Sequence, residues 1–299
     1  MSEKNRSLLR AVLLCVVLVI LAFPVPASAD AGPKPSVRIR FENMGEALCY
    51  GTLLSESDST GPYSAWDGTE EDIRTREEYP HSNYPPRAVW EAFVGYQDPD
   101  GCFFLQESWT VSETGEIAWT YYPPDRFKIL LYYPETGTFV SSGICESYAF
   151  DSYYTVDLAG VDPAAGLTAR RSYDYRQEVT ALAARFVLTV AVEMAVALLF
   201  GFREKRQFRV LLAVNLATQL ALNLLLGLSG YRSGPLAFAL AYLLLELAVI
   251  AAEAALYRRF LPPPAPPQKV RSYGVYSLVA NGVSFGAGWL LSGFLPDLF

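Results

Sequence analysis

The chain has one histidine, His81, with four cysteines and three methionines among 299 residues. A single histidine excludes a histidine-based metal cluster, an HExxH zinc site and a Ser-His dyad inside the apolar C-terminal half. There is no CxxC pair and no phosphate-binding glycine loop. With these gone, no catalytic motif, metal site or cofactor site is expected, and the protein reads as non-enzymatic. Charge is also scarce in one half. From Val179 to Phe299 there are 5 acidic and 10 basic residues, against 25 acidic and 11 basic from Asp30 to Glu178. The first stretch has the composition of an acidic domain in water, the second that of a membrane domain with short basic loops.

The N-terminus forms a third region. Lys4, Arg6 and Arg10 precede an apolar run from Ala11 to Phe23, followed by Pro24, Pro26 and the small-residue triplet Ala27-Ser28-Ala29. This is the pattern of a cleaved secretory signal over 1–29, and the run falls short of the roughly 20 residues a spanning helix needs. Cys15 would leave with it. Export opens Cys49, Cys102 and Cys145 to oxidation, but three thiols allow at most one internal disulfide, and all three read as small buried residues of strands.

Residues 30–176 are expected to form an all-β exported domain. The strand-like runs are 36–41, 49–54, 102–111, 116–122, 127–133, 138–148 and 153–158, separated by turn residues. Such a pattern predicts an antiparallel two-sheet sandwich, immunoglobulin-like or prealbumin-like. Residues 88–96, AVWEAFVGY, read as one short helix. The stretch 55–87 reads as a long surface loop carrying the acidic string Asp67, Glu70, Glu71 and Asp72. DGTEED at 67–72 and DPDG at 97–100 resemble fragments of a calcium loop but lack its twelve-residue length and terminal bidentate Glu, so turn chemistry on a solvated acidic face is preferred.

Residues 177–299 carry four apolar segments, about 179–201, 208–228, 235–257 and 272–295, each long enough to cross a bilayer. Arg203, Lys205, Arg206 and Arg209 mark the first connecting loop as cytoplasmic, and Arg258, Arg259, Lys269 and Arg271 mark the third. The exported domain and the C-terminus then lie outside, with loops 202–207 and 258–271 inside. The PPPAPP run at 262–267 is a stiff spacer. Gly227-Leu228-Ser229-Gly230 matches the GxSG of rhomboid proteases, but no histidine exists in this half to partner the serine.

Polar side chains inside these segments are expensive to place in hydrocarbon. Counted by helical rise from the expected cytoplasmic ends, Asn215, Glu193, Asn281 and Glu246 fall roughly 10 to 16 Å deep and define one layer. Glu253 extends it toward the cytoplasm, and Gln219 and Asn223 extend it outward; Arg185 reaches for the outer interface. Two carboxyls near the midplane without basic partners either carry protons and bond to Asn215 and Asn281, or hold a proton or cation for a purpose. The preferred account is that the layer joins helices, because four helices are few for a transporter. Gly282 and Gly286 form a GxxxG pair suited to close packing in the bundle or in a homodimer.

The stretches GPKPSVRIRF, STGPYSAWDG, YYPPDRFKILLYYPE, AFDSYYTVDL, FGFREKRQF and LLAVNLATQLALN resemble a group of uncharacterised bacterial multi-pass membrane proteins with an exported N-terminal region. The resemblance implies the architecture and no activity. The expected function is therefore an envelope membrane protein whose β domain binds an envelope protein or glycan, while the bundle meets membrane lipid and anchors it. A small proton- or ion-coupled transporter is the alternative, a membrane enzyme comes third, and no nucleic-acid partner is expected.

Overall fold

The computed structural model describes residues 32–69, 85–163, 165–262 and 273–294. The leader 1–29, Glu70 to Asp72, His81, the spacer beyond Pro262 with Lys269 and Arg271, and the last five residues lie outside the described residues. All elements described belong to the unit Lys34–Phe299.

The N-terminal half holds several β-sheets and the C-terminal half is helical. One sheet has the order β12-β11-β1-β7, built from β1 (Ser36–Glu42), β7 (Glu116–Trp119), β11 (Asp151–Asp157) and β12 (Ala169–Arg171). The other runs β10-β8-β2-β5, from β2 (Tyr50–Ser55), β5 (Phe103–Phe104), β8 (Arg126–Tyr133) and β10 (Cys145–Glu146). To this sheet β6 (Trp109–Thr110) adds beside β2, and β9 (Thr138–Ser141) beside β8. A small hairpin joins β3 (Ser59–Thr60) and β4 (Tyr63–Ser64) inside the stretch expected to be a loop.

The alternation of side chains along a strand explains the layering. Val37, Ile39 and Phe41 of β1 meet Leu53 of β2 and Phe127, Ile129 and Leu131 of β8 in one core shared by both sheets. The intervening residues of β2 and β8, Tyr50, Leu54 and Leu130, point the other way, onto Val89, Trp90 and Phe93 of helix α1 (Arg87–Gly95). Both strands are thus covered on two faces, which is why their sequences read as nearly continuous apolar runs. Gly51 sits where a Cβ would come within 2.7 Å of Val111 and 2.9 Å of Ile117. Gly51→Ala should therefore overpack the shared core and destabilise the β domain by about 1 to 3 kcal/mol, read from the midpoint of denaturant unfolding.

Several local expectations are corrected. The β1–β11 pair runs parallel, from Ser36 opposite Asp151 to Glu42 opposite Asp157, where an all-antiparallel domain was expected. The run 102–111 is not one strand, because Gln106 adopts φ 69° and separates β5 from β6; it leads into the single turn α2 (Val111–Thr114). The run 138–148 likewise splits into β9 and β10, and β12 has no counterpart among the expected strands. The DPDG segment is the expected turn with Asp100 exposed, but its other acid is not on a solvated face. The Asp98 carboxylate is fully buried and accepts from the Lys128 ammonium at 2.9 and 3.2 Å. Cys49, Cys102 and Cys145 are free thiols, and burial pushes Cys49 up to about 11.

The helical half consists of α3 (Tyr175–Leu199), α4 (Lys205–Phe260) and α5 (Tyr273–Ser292). The Asp174 side chain caps α3 by accepting from the backbone N–H groups of Arg176 and Gln177. At the start of α4 the Gln207 side chain accepts from the N–H groups of Arg203 and Glu204, closing a capping box. Helices α3 and α4 are long and apolar enough to cross a membrane. The α4 helix is not continuous: Gly234, at φ 82° and ψ −175°, is non-helical and is followed by Pro235, which has no N–H to continue the ladder.

Candidate functional site

The helical half buries a polar set beside its apolar clusters. Glu193, Gln207, Asn215, Gln219, Glu253, Ser277 and Asn281 are buried, while many leucines of α4 are exposed. Glu253 is the hub of the buried set. Its Oε1 accepts from Thr218 Oγ1 at 2.8 Å; its Oε2 accepts from Asn281 Nδ2 at 2.6 Å and from Ser277 Oγ at 3.1 Å. The Tyr257 hydroxyl donates to Asn215 Oδ1, and the Tyr276 hydroxyl donates to the Glu193 carbonyl at 3.2 Å.

Proton counting around Glu253 gives a chemical result. Thr218 and Ser277 have one hydroxyl proton each, and each also has a backbone acceptor in reach, Val214 O at 3.0 Å and Ile250 O at 3.0 Å. When the hydroxyls donate to those carbonyls, their oxygens can accept a proton from the Glu253 carboxyl. The same heavy-atom arrangement therefore serves Glu253 with or without a proton. Glu193 differs. Both Glu193 carboxyl oxygens, Asn215 Nδ2 and Asn281 Oδ1 are buried with no hydrogen-bond partner.

Of the residues singled out by sequence, Glu193, Asn215, Asn281 and Glu253 come together, with Thr218, Ser277, Tyr257 and Tyr276 added. Glu246 is not among them. Helix α4 runs on to Phe260, so by rise Glu253 lies about 10 Å and Glu246 about 21 Å from that end. Glu246 and Gln219 instead line a chamber of ≈ 360 Å³ higher in the bundle, together with Asn223, Arg185, Tyr242 and Phe285. A Cβ added at Gly282 or Gly286 would meet nothing within 4 Å, so the GxxxG pair makes no close packing inside the chain.

Arg185, Asn223, Leu226 and Phe238 also line a second cavity of ≈ 650 Å³, walled on its other side by Asp151, Tyr153 and Tyr173. This vestibule lies where the β-sheets meet the helices. Burial and the neighbouring Glu178 carboxylate hold the Tyr173 phenol well above its ordinary range. The two halves are joined at this level by a specific seat. The Phe150 ring covers the break in α4, within 2.5 Å of where a Gly234 Cβ would stand, and the Phe150 N–H donates to Tyr231 O at 2.9 Å. Tyr173 packs edge-on to Tyr231 beside it.

No group of three or more His, Cys, Asp and Glu side chains is placed to hold a metal among the described residues. No protein-family model matches the chain, and comparison with curated proteins gives no match.

Proposed function

We propose that the chain is a non-enzymatic, multi-pass membrane protein of the cell envelope. An exported β domain, a sandwich of immunoglobulin-like or prealbumin-like kind, binds an envelope protein or glycan, and the bundle anchors it and relays its occupancy. The bundle crosses the bilayer four times, α4 contributing two passes on either side of Gly234, with the β domain and C-terminus outside and loops 202–207 and 258–271 in the cytoplasm. The buried polar set and the exposed leucines support this, because hydrocarbon accepts leucine and excludes carboxyls. A homodimer through the open faces of Gly282 and Gly286 belongs to the same proposal.

The observation that carries the relay is the seat of Phe150 on the break at Gly234. A ligand that shifts the turn before β11 moves this ring, and the ring rests on the break between the two runs of α4. Phe150→Ala should split a single thermal unfolding transition into two and speed amide exchange over 229–235. One undivided transition with unchanged exchange there would remove the relay.

A second reading, a proton- or ion-coupled transporter, is favoured by one feature: Glu193 is buried without a donor close to Glu253, whose surroundings accept either protonation state. In vesicles loaded with a pH-sensitive dye, wild-type protein should then pass protons or sodium, and Glu253→Gln should assemble but lose the flux. Absence of flux in the wild type ends that reading.

A further inference from the structure

The chamber above the buried cluster holds two opposite charges that do not meet. By helical rise Arg185 lies about 21 Å from the Leu199 end of α3, and Glu246 about 21 Å from the Phe260 end of α4, so the two stand at one height on different helices. Both line the chamber. No ion pair joins them, the ion pairs among the described residues all lying in the β domain. Arg185 Nε is buried with no hydrogen-bond partner.

The acids of the vestibule do not serve Arg185. Asp174 is committed to the α3 cap, Glu178 accepts from the Tyr173 hydroxyl, and Asp151 accepts from Ser36 Oγ at 2.5 Å. The guanidinium has a buried Nε without a partner and no ion pair to an internal carboxylate, and its planar fork matches a carboxylate or phosphate. Between the two charges the wall is apolar and aromatic: Leu188, Leu222 and Leu226, with Phe238 stacked on Tyr242 and Tyr242 on Phe285. The volume falls within the range of small-molecule sites, and the vestibule gives a way in from the β-domain side.

We infer that this chamber binds a zwitterion: its anionic group on Arg185, its ammonium on Glu246, and an apolar side group against the aromatic wall. The chemistry is shared by a free α-amino acid and by an ethanolamine phospholipid headgroup. The inference deepens the binding reading by naming a ligand class for the bundle, and it rests on that reading's placing of the vestibule outside.

The test uses the full chain in nanodiscs of phosphatidylglycerol, which carries no ammonium. In one arm L-phenylalanine is titrated by calorimetry; in the other, phosphatidylethanolamine is introduced and retention is read by native mass spectrometry. Saturable binding in either arm is expected and identifies the source. For the amino acid, phenethylamine and 3-phenylpropionate, each lacking one charge, should bind about tenfold or more weakly. In whichever arm binds, Arg185→Gln and Glu246→Gln should each weaken binding by a similar factor, and Glu91→Gln, on the surface of α1, should not. The unmodified protein with single-charge ligands, or with phosphatidylglycerol as competitor, needs no variant to fold. No binding in either arm, or binding indifferent to either charge, overturns the inference. A chamber that fails while Phe150→Ala still uncouples the two halves sinks this inference and leaves the binding reading standing.

Discussion

Asp98→Ala should destabilise the β domain by up to about 3 to 5 kcal/mol, because its fully buried carboxylate is the main partner of a buried lysine. Lys128 lies in the middle of β8 with 4 % exposure, and its position in the alternation turns it toward α1 and away from the core shared by the sheets. Asp98 holds the ammonium with both oxygens, and Asp100 closes over it. The Asp98 carboxylate also accepts from the N–H groups of Asp100 and Cys102 at 3.1 Å each, which fixes the turn. Truncating it leaves the buried cation with the exposed Asp100 alone and strands two backbone donors at once. Replacing Lys128 by Met in the Asp98→Ala background should recover much of the loss, because a buried ammonium held only by the exposed Asp100 is what costs most.

The pair also sets a pH window. Burial pushes Asp98 upward, but the Lys128 bond and the backbone donors outweigh it and leave the carboxyl below its usual 3.8. Burial pushes Lys128 downward, and its bonds to Asp100 and Asp98 raise it above 10.5 overall. The Asp98 contribution is therefore present above about pH 3.8 and lost as pH falls through the lower folded value. The Lys128 contribution is present below about pH 10.5 and lost as pH rises through the higher folded value. Denaturation midpoints across pH should be flat between these limits in the wild type with respect to this pair, and Asp98→Asn should remove the acid limb.

Gly234→Val is expected to separate the β domain from the helices. At φ 82° and ψ −175° the backbone occupies a region that only glycine enters freely, a strain of about 1 to 3 kcal/mol for any other residue. A Cβ would stand 2.5 to 2.7 Å from three atoms of the Phe150 ring, adding about 1 to 3 kcal/mol of overpacking. Phe150→Leu should relieve the second cost and leave the first. Gly227 makes the contrast, since it lies inside the helical run with nothing within 4 Å of an added Cβ. Gly227→Ala should stabilise by about 0.5 to 1 kcal/mol. Equal unfolding of the two variants by circular dichroism would contradict this account of the break.

What was legible in the sequence was what depends on period. Strands β1, β2, β8 and β11 and helix α1 announce themselves by alternation or by helical spacing. The parallel pairing of β1 with β11 does not, because no local pattern encodes which strand is met more than a hundred residues later. Lys128 was passed over because one lysine hardly disturbs the run RFKILLYY, yet a cation in a strand buried on both faces demands a partner. A segment ending at 257 puts Glu246 in the layer and Glu253 on its cytoplasmic side, because Arg258 and Arg259 look like a loop. Arginine is a good helix former, and the helix continues through both. Tyr257 four residues after Glu253, and Asn281 four after Ser277, were the signal for the rest of the buried cluster.

The Phe150 amide bonds to a carbonyl that is synthesised eighty-one residues later (231 minus 150). The donor at Phe150, with all of β1 to β10 behind it, is therefore made well before its acceptor exists. The last turn ahead of β11 can make this bond only once α4 has formed up to its break at Gly234. Completion of the turn ahead of β11 is in this way tied to the folding of the helical half by one backbone bond.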